Sequence, residues 1–139
     1  MNRLVQLLVL FSIGGISYYF IEILWRGYSH ISMFILGGLC FVTIGLVREH
    51  YFTPEIQILK QLAVSCFIIT VLEFIFGFIL NVKLGLGIWD YSGLKFNFMG
   101  QISLVSSIVW FFLSLPAIIF YDYIRYWLFR EKKPSYKFI

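Results

Sequence analysis

The sequence predicts an all-α integral membrane bundle: four transmembrane helices running up-down-up-down in a single domain, 1–139, with both termini cytoplasmic. Three observations carry that expectation. Of 139 residues, 60% are hydrophobic, 21% aromatic and only 13% charged, with a mean hydropathy of +0.88. A soluble domain of this size cannot hide so much apolar surface, whereas a bilayer needs none of it hidden. The apolar residues also fall into long runs, about 4–24, 31–47, 56–80 and 97–128, separated by polar connectors. Finally, the basic residues are sorted by side. Arg3, Arg48, Lys60 and the tail run Arg125, Arg130, Lys132, Lys133 and Lys137 fall on one side, against Arg26, Lys83 and Lys95 on the other. The positive-inside rule assigns the richer side to the cytoplasm.

The net charge of +4 does not point to nucleic acid. Its basic residues flank apolar spans, where they meet the anionic leaflet. The partner the composition implies is the lipid bilayer. Cys40 and Cys66 both fall inside predicted spans and lack a CxxC spacing, so they are expected as small buried hydrophobes without a disulfide.

The first helix follows Met1-Asn2-Arg3 and continues to Leu24. That run is too long for a signal-peptide core and has no small-residue cleavage site, so a retained helix is expected. Gly14 and Gly15 offer a face for close helix approach, as do Gly37, Gly38 and Gly45 on the second helix. Between these helices lies the connector Gly27-Tyr28-Ser29-His30. Arg48-Glu49-His50 and Thr53-Pro54-Glu55 form the next one. Gln57, Lys60 and Gln61 place the start of the third helix at the membrane interface. The longest connector, Asn81 to Phe96, contains Gly85, Gly87 and Gly93. The fourth helix carries Pro116, which is expected to kink it or loosen its hydrogen bonding. Aromatic belts agree with this topology, with Trp25, Tyr28, Trp89 and Tyr91 outside and Tyr121, Tyr123, Tyr126 and Trp127 inside. Helices one and three each hold a glutamate in the outward half and are followed by an aromatic-polar connector, a hint of a parallel internal repeat.

The candidate ligand-binding residues are Glu73, Asp90, Glu22, Trp89, Asn97, Gln101, His30 and Arg26. Glu73 is the sharpest. At 1.5 Å per residue it lies roughly 10 Å inside the outer end of its helix. A carboxylate at that depth must face the bundle interior or a water-filled cavity, where it serves a ligand, a proton or an interhelix bond. Glu22 stands four residues before Arg26, the spacing of a helical ion pair. Asp90, in Trp89-Asp90-Tyr91-Ser92, suits a tight turn in which its carboxylate bonds backbone N–H groups ahead, or a loop that folds back onto Glu73. His30 suits a surface connector. Asn97 and Gln101 stand four apart on one expected helical face. Together Glu22, His30, Glu73 and Asp90 could bind a divalent or organic cation, and Trp25 and Trp89 could hold a cationic headgroup. No metal, cofactor, nucleotide or hydrolase motif is present, so an enzyme is unsupported.

The stretch from Glu73 to Gln101, with Gly-Ile-Trp-Asp-Tyr-Ser at 87–92 and Asn-Phe-Met-Gly-Gln-Ile at 97–102, resembles the ABC transporter type IV, or CmpB-like, family. Arg26-Gly27-Tyr28-Ser29-His30 with Ser32-Met33-Phe34 is similar to the transmembrane protein 229 group. A Gly-Pro element that bacterial members carry after the first helix is missing here. The resemblance implies a multi-pass component of a transporter in the bacterial cytoplasmic membrane, with both termini inside. Without a nucleotide-binding motif the chain is not the ATPase. Expectation therefore favours a transport-related component with an outward-facing polar pocket, working as a homo-oligomer or in a larger membrane complex. The alternative is a structural or regulatory membrane protein that acts by binding a partner or lipid.

Overall fold

A computed structural model describes residues 2–52 and 56–136. The expectations placed on Thr53-Pro54-Glu55 and Lys137 lie outside the described residues. Asn2 opens the first helix, its side chain accepting from the Val5 N–H at 3.0 Å and so meeting one of the donors a helix start leaves unpaired. This helix, α1, runs Arg3–Arg26. It stops at Gly27, where a φ of 82° turns the chain and the Gly27 N–H returns to the Ile23 carbonyl at 2.8 Å. His30 caps α2, Ile31–Tyr51, by accepting from the Ser32 N–H at 3.1 Å. Arg48 and Glu49, expected in a connector, are thus helical. The third helix, α3, covers Ile58–Gly77 and continues as π-helical turns through Phe78–Lys83. The last, α4, covers Leu104–Leu128 and runs on through Pro116. All four helices are long and apolar enough to cross a membrane.

The fourth helix begins later than its hydropathy suggests. Asn97–Phe98 (β1) and Ile102–Ser103 (β2) pair antiparallel, Asn97 opposite Ser103 and Phe98 opposite Ile102. Met99 and Gly100 take positive φ values of 56° and 73° in the turn between them. A helix cannot pass through two such residues. It restarts at Ser103, where a reciprocal pair of hydrogen bonds with Ser106 (3.0 and 3.1 Å) forms a capping box.

Packing explains the glycines. A Cβ on Gly14, Gly15, Gly37 or Gly38 would come within 2.4, 2.6, 2.5 and 2.8 Å of Phe41, Phe34, Tyr18 and Phe11 respectively. Numbers rise on α1 as they fall on α2, so the pair is antiparallel and its two backbones approach closely through missing side chains. Gly45 does the same for α4, since a Cβ there would stand 2.0 Å from the Tyr121 ring. α3 lies antiparallel to α4, with Thr70 Oγ1 and Ser107 Oγ 3.0 Å apart. α2 joins the two pairs, and the seam between α1 and α4 is left thinly packed. The cores are small, Leu10, Phe41, Tyr121 and Ile124 in one and Ile58, Leu62 and Ile118 in the other.

At the end of the bundle that holds both described termini, a charged layer ties the helices. Glu49 pairs with Arg3 at 2.8 Å and Arg125 at 3.3 Å and accepts from the Tyr121 hydroxyl at 2.5 Å. Arg48 pairs with Asp122, donates to Gln61 and lies 4.9 Å from the centre of the Tyr136 ring, while the Tyr136 hydroxyl donates to Asp122 at 3.0 Å. Burial, then the Asp122 charge, raises the Tyr136 phenol well above its usual value, so it stays a donor. Two expectations change here. Tyr121 is fully buried, not part of an interfacial belt, because Gly45 makes room for its ring. Gln61 is buried too, because Arg48 and the Ile56 carbonyl engage both ends of its amide.

Candidate functional site

At the other end of α3, Glu73 is only 3% exposed. The Tyr91 hydroxyl donates to its Oε2 at 3.0 Å from the connector before α4. Burial, then the neighbouring carboxylate charge, raises the Tyr91 phenol well above its usual value and keeps it a donor. Ser106 Oγ lies 3.4 Å from Oε1, but its single proton has a nearer acceptor in the Ser103 carbonyl at 3.0 Å. The buried Trp110 indole N–H lies beside the same carboxylate, short of full hydrogen-bond geometry. Oε1 therefore keeps acceptor capacity. No ion pair among the described residues involves Glu73.

Glu73 stands in the wall of a cavity of about 270 Å³ to which all four helices contribute. It is the one charged side chain in that wall among the described residues. Tyr18, Cys40, Phe41, Trp110 and Phe120 supply much of the rest. The rings of Tyr18 and Trp110 lie 5.7 Å apart across the thin seam, their planes tilted by 56°. Ile21, Leu113 and Phe120 line the cavity and are also exposed on the outer surface. The cavity thus opens sideways, between α1 and α4, towards the position of lipid tails.

Glu22 sits one layer further along α1 and is paired. Arg26 Nε pairs with it at 2.8 Å and the Tyr18 hydroxyl donates to it at 2.9 Å. Arg26 also donates to the Ile88 carbonyl at 3.1 Å and lies 4.7 Å from the centre of the Tyr28 ring, so it ties α1 to the long connector. That connector is held by a polar latch. The Asn81 amide accepts from the Ile88 N–H at 2.6 Å and donates to Gln101 Oε1 at 2.8 Å, while the Trp89 indole donates to the Gln101 carbonyl at 3.0 Å. Gly77 makes room for it, since a Cβ there would meet Gln101 and Trp89 at 2.7 and 2.9 Å.

The sequence-predicted residues thus separate by task. Glu73 is at the cavity; Glu22 and Arg26 form the ion pair expected from their spacing; Trp89 and Gln101 belong to the latch. Asp90 is exposed and accepts from the Ser92 N–H at 2.9 Å, the tight turn expected of it, and that backbone bond lowers its carboxyl below the usual value. It is not among the partners of Glu73. His30 caps α2. Asn97 donates to the Leu94 carbonyl at 2.7 Å and accepts from the Gly100 N–H at 3.0 Å, holding the β turn. Asn97 and Gln101 share a turn, not the helical face expected of them. Trp25 is 87% exposed and cannot close a headgroup cage with the engaged Trp89. No three His, Cys, Asp or Glu side chains converge among the described residues, which leaves the divalent-cation reading without a ligand set. Cys40 and Cys66 are free thiols.

Tyr18, Tyr91, Ser106 and Trp110, which build the surroundings of Glu73, escaped the sequence reading. Tyr18 stands four residues before Glu22, a helical spacing that announces its bond. Tyr91 lies inside Trp89-Asp90-Tyr91-Ser92, where residue type alone places it in the outer aromatic belt.

Four helices long and apolar enough to cross a membrane mark a polytopic membrane protein, with one buried carboxylate, Glu73, in the wall of its cavity. The chain belongs to the family described as "Putative ABC-transporter type IV", whose family model matches residues 7–138. That match carries no link to the transmembrane protein 229 group. No curated protein and no solved structure matches the chain.

Proposed function

We propose that the chain is the membrane component of a transport system and that Glu73 and its cavity contact the transported or sensed ligand. The observation behind this reading is a carboxylate 3% exposed, in a cavity wall, with no cationic partner among the described residues. An ionisable group at membrane depth is costly, and it persists where a substrate, a proton or a water-filled path uses it. The basic residues support an orientation with both termini in the cytoplasm, which puts Glu73 in the outer half of the bilayer. The pocket then opens towards lipid in that half, through the seam between α1 and α4.

A cavity of about 270 Å³ is too short to be a complete path, so the working unit contains further copies or further subunits. The α1–α2 glycine faces are consumed within the chain, and any contact between copies uses another surface. The family name and the missing nucleotide motif favour a separate ATPase. Purification from the native membrane in a mild detergent, followed by native mass spectrometry, tests this. A stoichiometric ATPase or permease partner is the expected result, and a chain found only with itself contradicts it.

A second reading has its own observation. Tyr91 ties Glu73 to the connector, and Ser106 and Trp110 of α4 stand beside its carboxylate, as in the staple of a structural or regulatory protein. Under that reading Glu73→Gln, which keeps an acceptor for Tyr91, leaves function intact.

A further inference from the structure

We infer that the cavity binds a lipophilic amine, its ammonium group on Glu73 and its apolar body among the rings and aliphatic side chains of the four helices. This rests on reading the cavity as a ligand site. Four features of the cavity converge on that chemistry.

The first is charge. Glu73 is the sole charged group in the wall among the described residues, and it has acceptor capacity left on Oε1. The hydrogen bond from Tyr91 stabilises the carboxylate without cancelling its charge; a monocation does both. The second is the aromatic lining. Tyr18 and Trp110 line the same cavity as Glu73, and aromatic rings attract an ammonium within about 6 Å of the ring centre.

The third is size and polarity. An apolar cavity of about 150 Å³ already accepts benzene, so about 270 Å³ holds a ring with a short chain. A single carboxylate does not suit a divalent cation, which takes several oxygen ligands. A wall without lysine or arginine leaves a phosphate beside Glu73 unpaired and repelled, so a zwitterionic phospholipid headgroup does not fit. The fourth is access. The opening between α1 and α4, rimmed by Ile21, Leu113 and Phe120, faces the bilayer, and a ligand that enters there must first dissolve in lipid.

The test is isothermal titration calorimetry on the purified chain in phosphatidylcholine nanodiscs, with empty nanodiscs as the partitioning background. The probes are 4-phenylbutylamine and its neutral counterpart 4-phenylbutanol. The inference expects saturable one-to-one binding of the amine, about tenfold tighter than the alcohol, as one charge-assisted bond supplies. Glu73→Gln should erase the difference between the two probes. Ala117→Phe and Ser17→Leu, both in the wall, should abolish binding of either while circular dichroism reports unchanged helicity.

Equal affinity for amine and alcohol, lost in the filled variants, overturns the amine assignment and leaves the cavity as a ligand site. No saturable binding of either probe by the wild-type chain overturns both. A repeat in nanodiscs containing phosphatidylethanolamine separates the two sources of an amine. Unchanged amine affinity is expected, whereas loss of amine binding there assigns the site to the lipid headgroup and overturns the free-amine inference.

Discussion

Glu22 and Glu73 occupy comparable helices and differ in what surrounds them. Glu22 has a guanidinium at 2.8 Å and a phenol at 2.9 Å, so its charge is neutralised locally. Glu73 has one phenol donor, a cavity and no ion-pair partner among the described residues. Sequence spacing was enough to see the first arrangement, because the partners lie one helical turn apart. It singled out Glu73 as a carboxylate in an apolar run, yet not its neighbours, because Tyr91 and Ser106 arrive from a different connector and a different helix. The Arg48–Asp122 pair was illegible for the same reason: its partners are separated by 74 positions. That pair makes a prediction at this scale. Arg48→Met strands the Asp122 carboxylate, which is only 7% exposed, and should destabilise the bundle by about 3 kcal/mol, the usual cost of breaking a buried pair. Reversible unfolding in mixed micelles measures it. A loss below about 1 kcal/mol, the range of exposed pairs, would show that the layer is solvated.

At the scale of elements, the four apolar helices were readable because lipid imposes length and hydropathy on each span. Their ends were less so. The start of α4 shifted from Asn97 to Leu104 because Met99 and Gly100 adopt left-handed backbone and Ser103 supplies a cap, local choices that hydropathy does not report. Interfacial placement by residue type failed where glycines let an aromatic ring in, as for Tyr121 beneath Gly45. The long connector is pinned chiefly by Asn81, which holds Ile88 and Gln101 at once. Asn81→Ala should therefore loosen residues 84–90 while the helix pairs stay intact. Hydrogen exchange is the readout, with amide protection at Ile88 falling several-fold and that of α1 and α2 unchanged; equal protection in both proteins would mean that Trp89 and Arg26 hold the connector without Asn81.

At the scale of the whole molecule, two polar layers close the ends of an apolar bundle, and they differ in kind. One consists of paired charges around Glu49 and Asp122. The other leaves one carboxylate in the wall of a cavity at the α1–α4 seam. The first has the chemistry of a staple, and the second is the proposed site. The cavity itself was not legible in the sequence, because its shape depends on how α1 leans on α2 and away from α4. The most direct test of the site is complementation of a chromosomal deletion by Glu73→Gln, scored on the phenotype that separates the deletion strain from its parent. The substitution keeps the size of the side chain and an acceptor for Tyr91 but removes the charge. The account predicts loss of complementation with membrane abundance and thermal midpoint in detergent unchanged. Full complementation by Glu73→Gln would contradict it and leave Glu73 as a staple between the connector and α4.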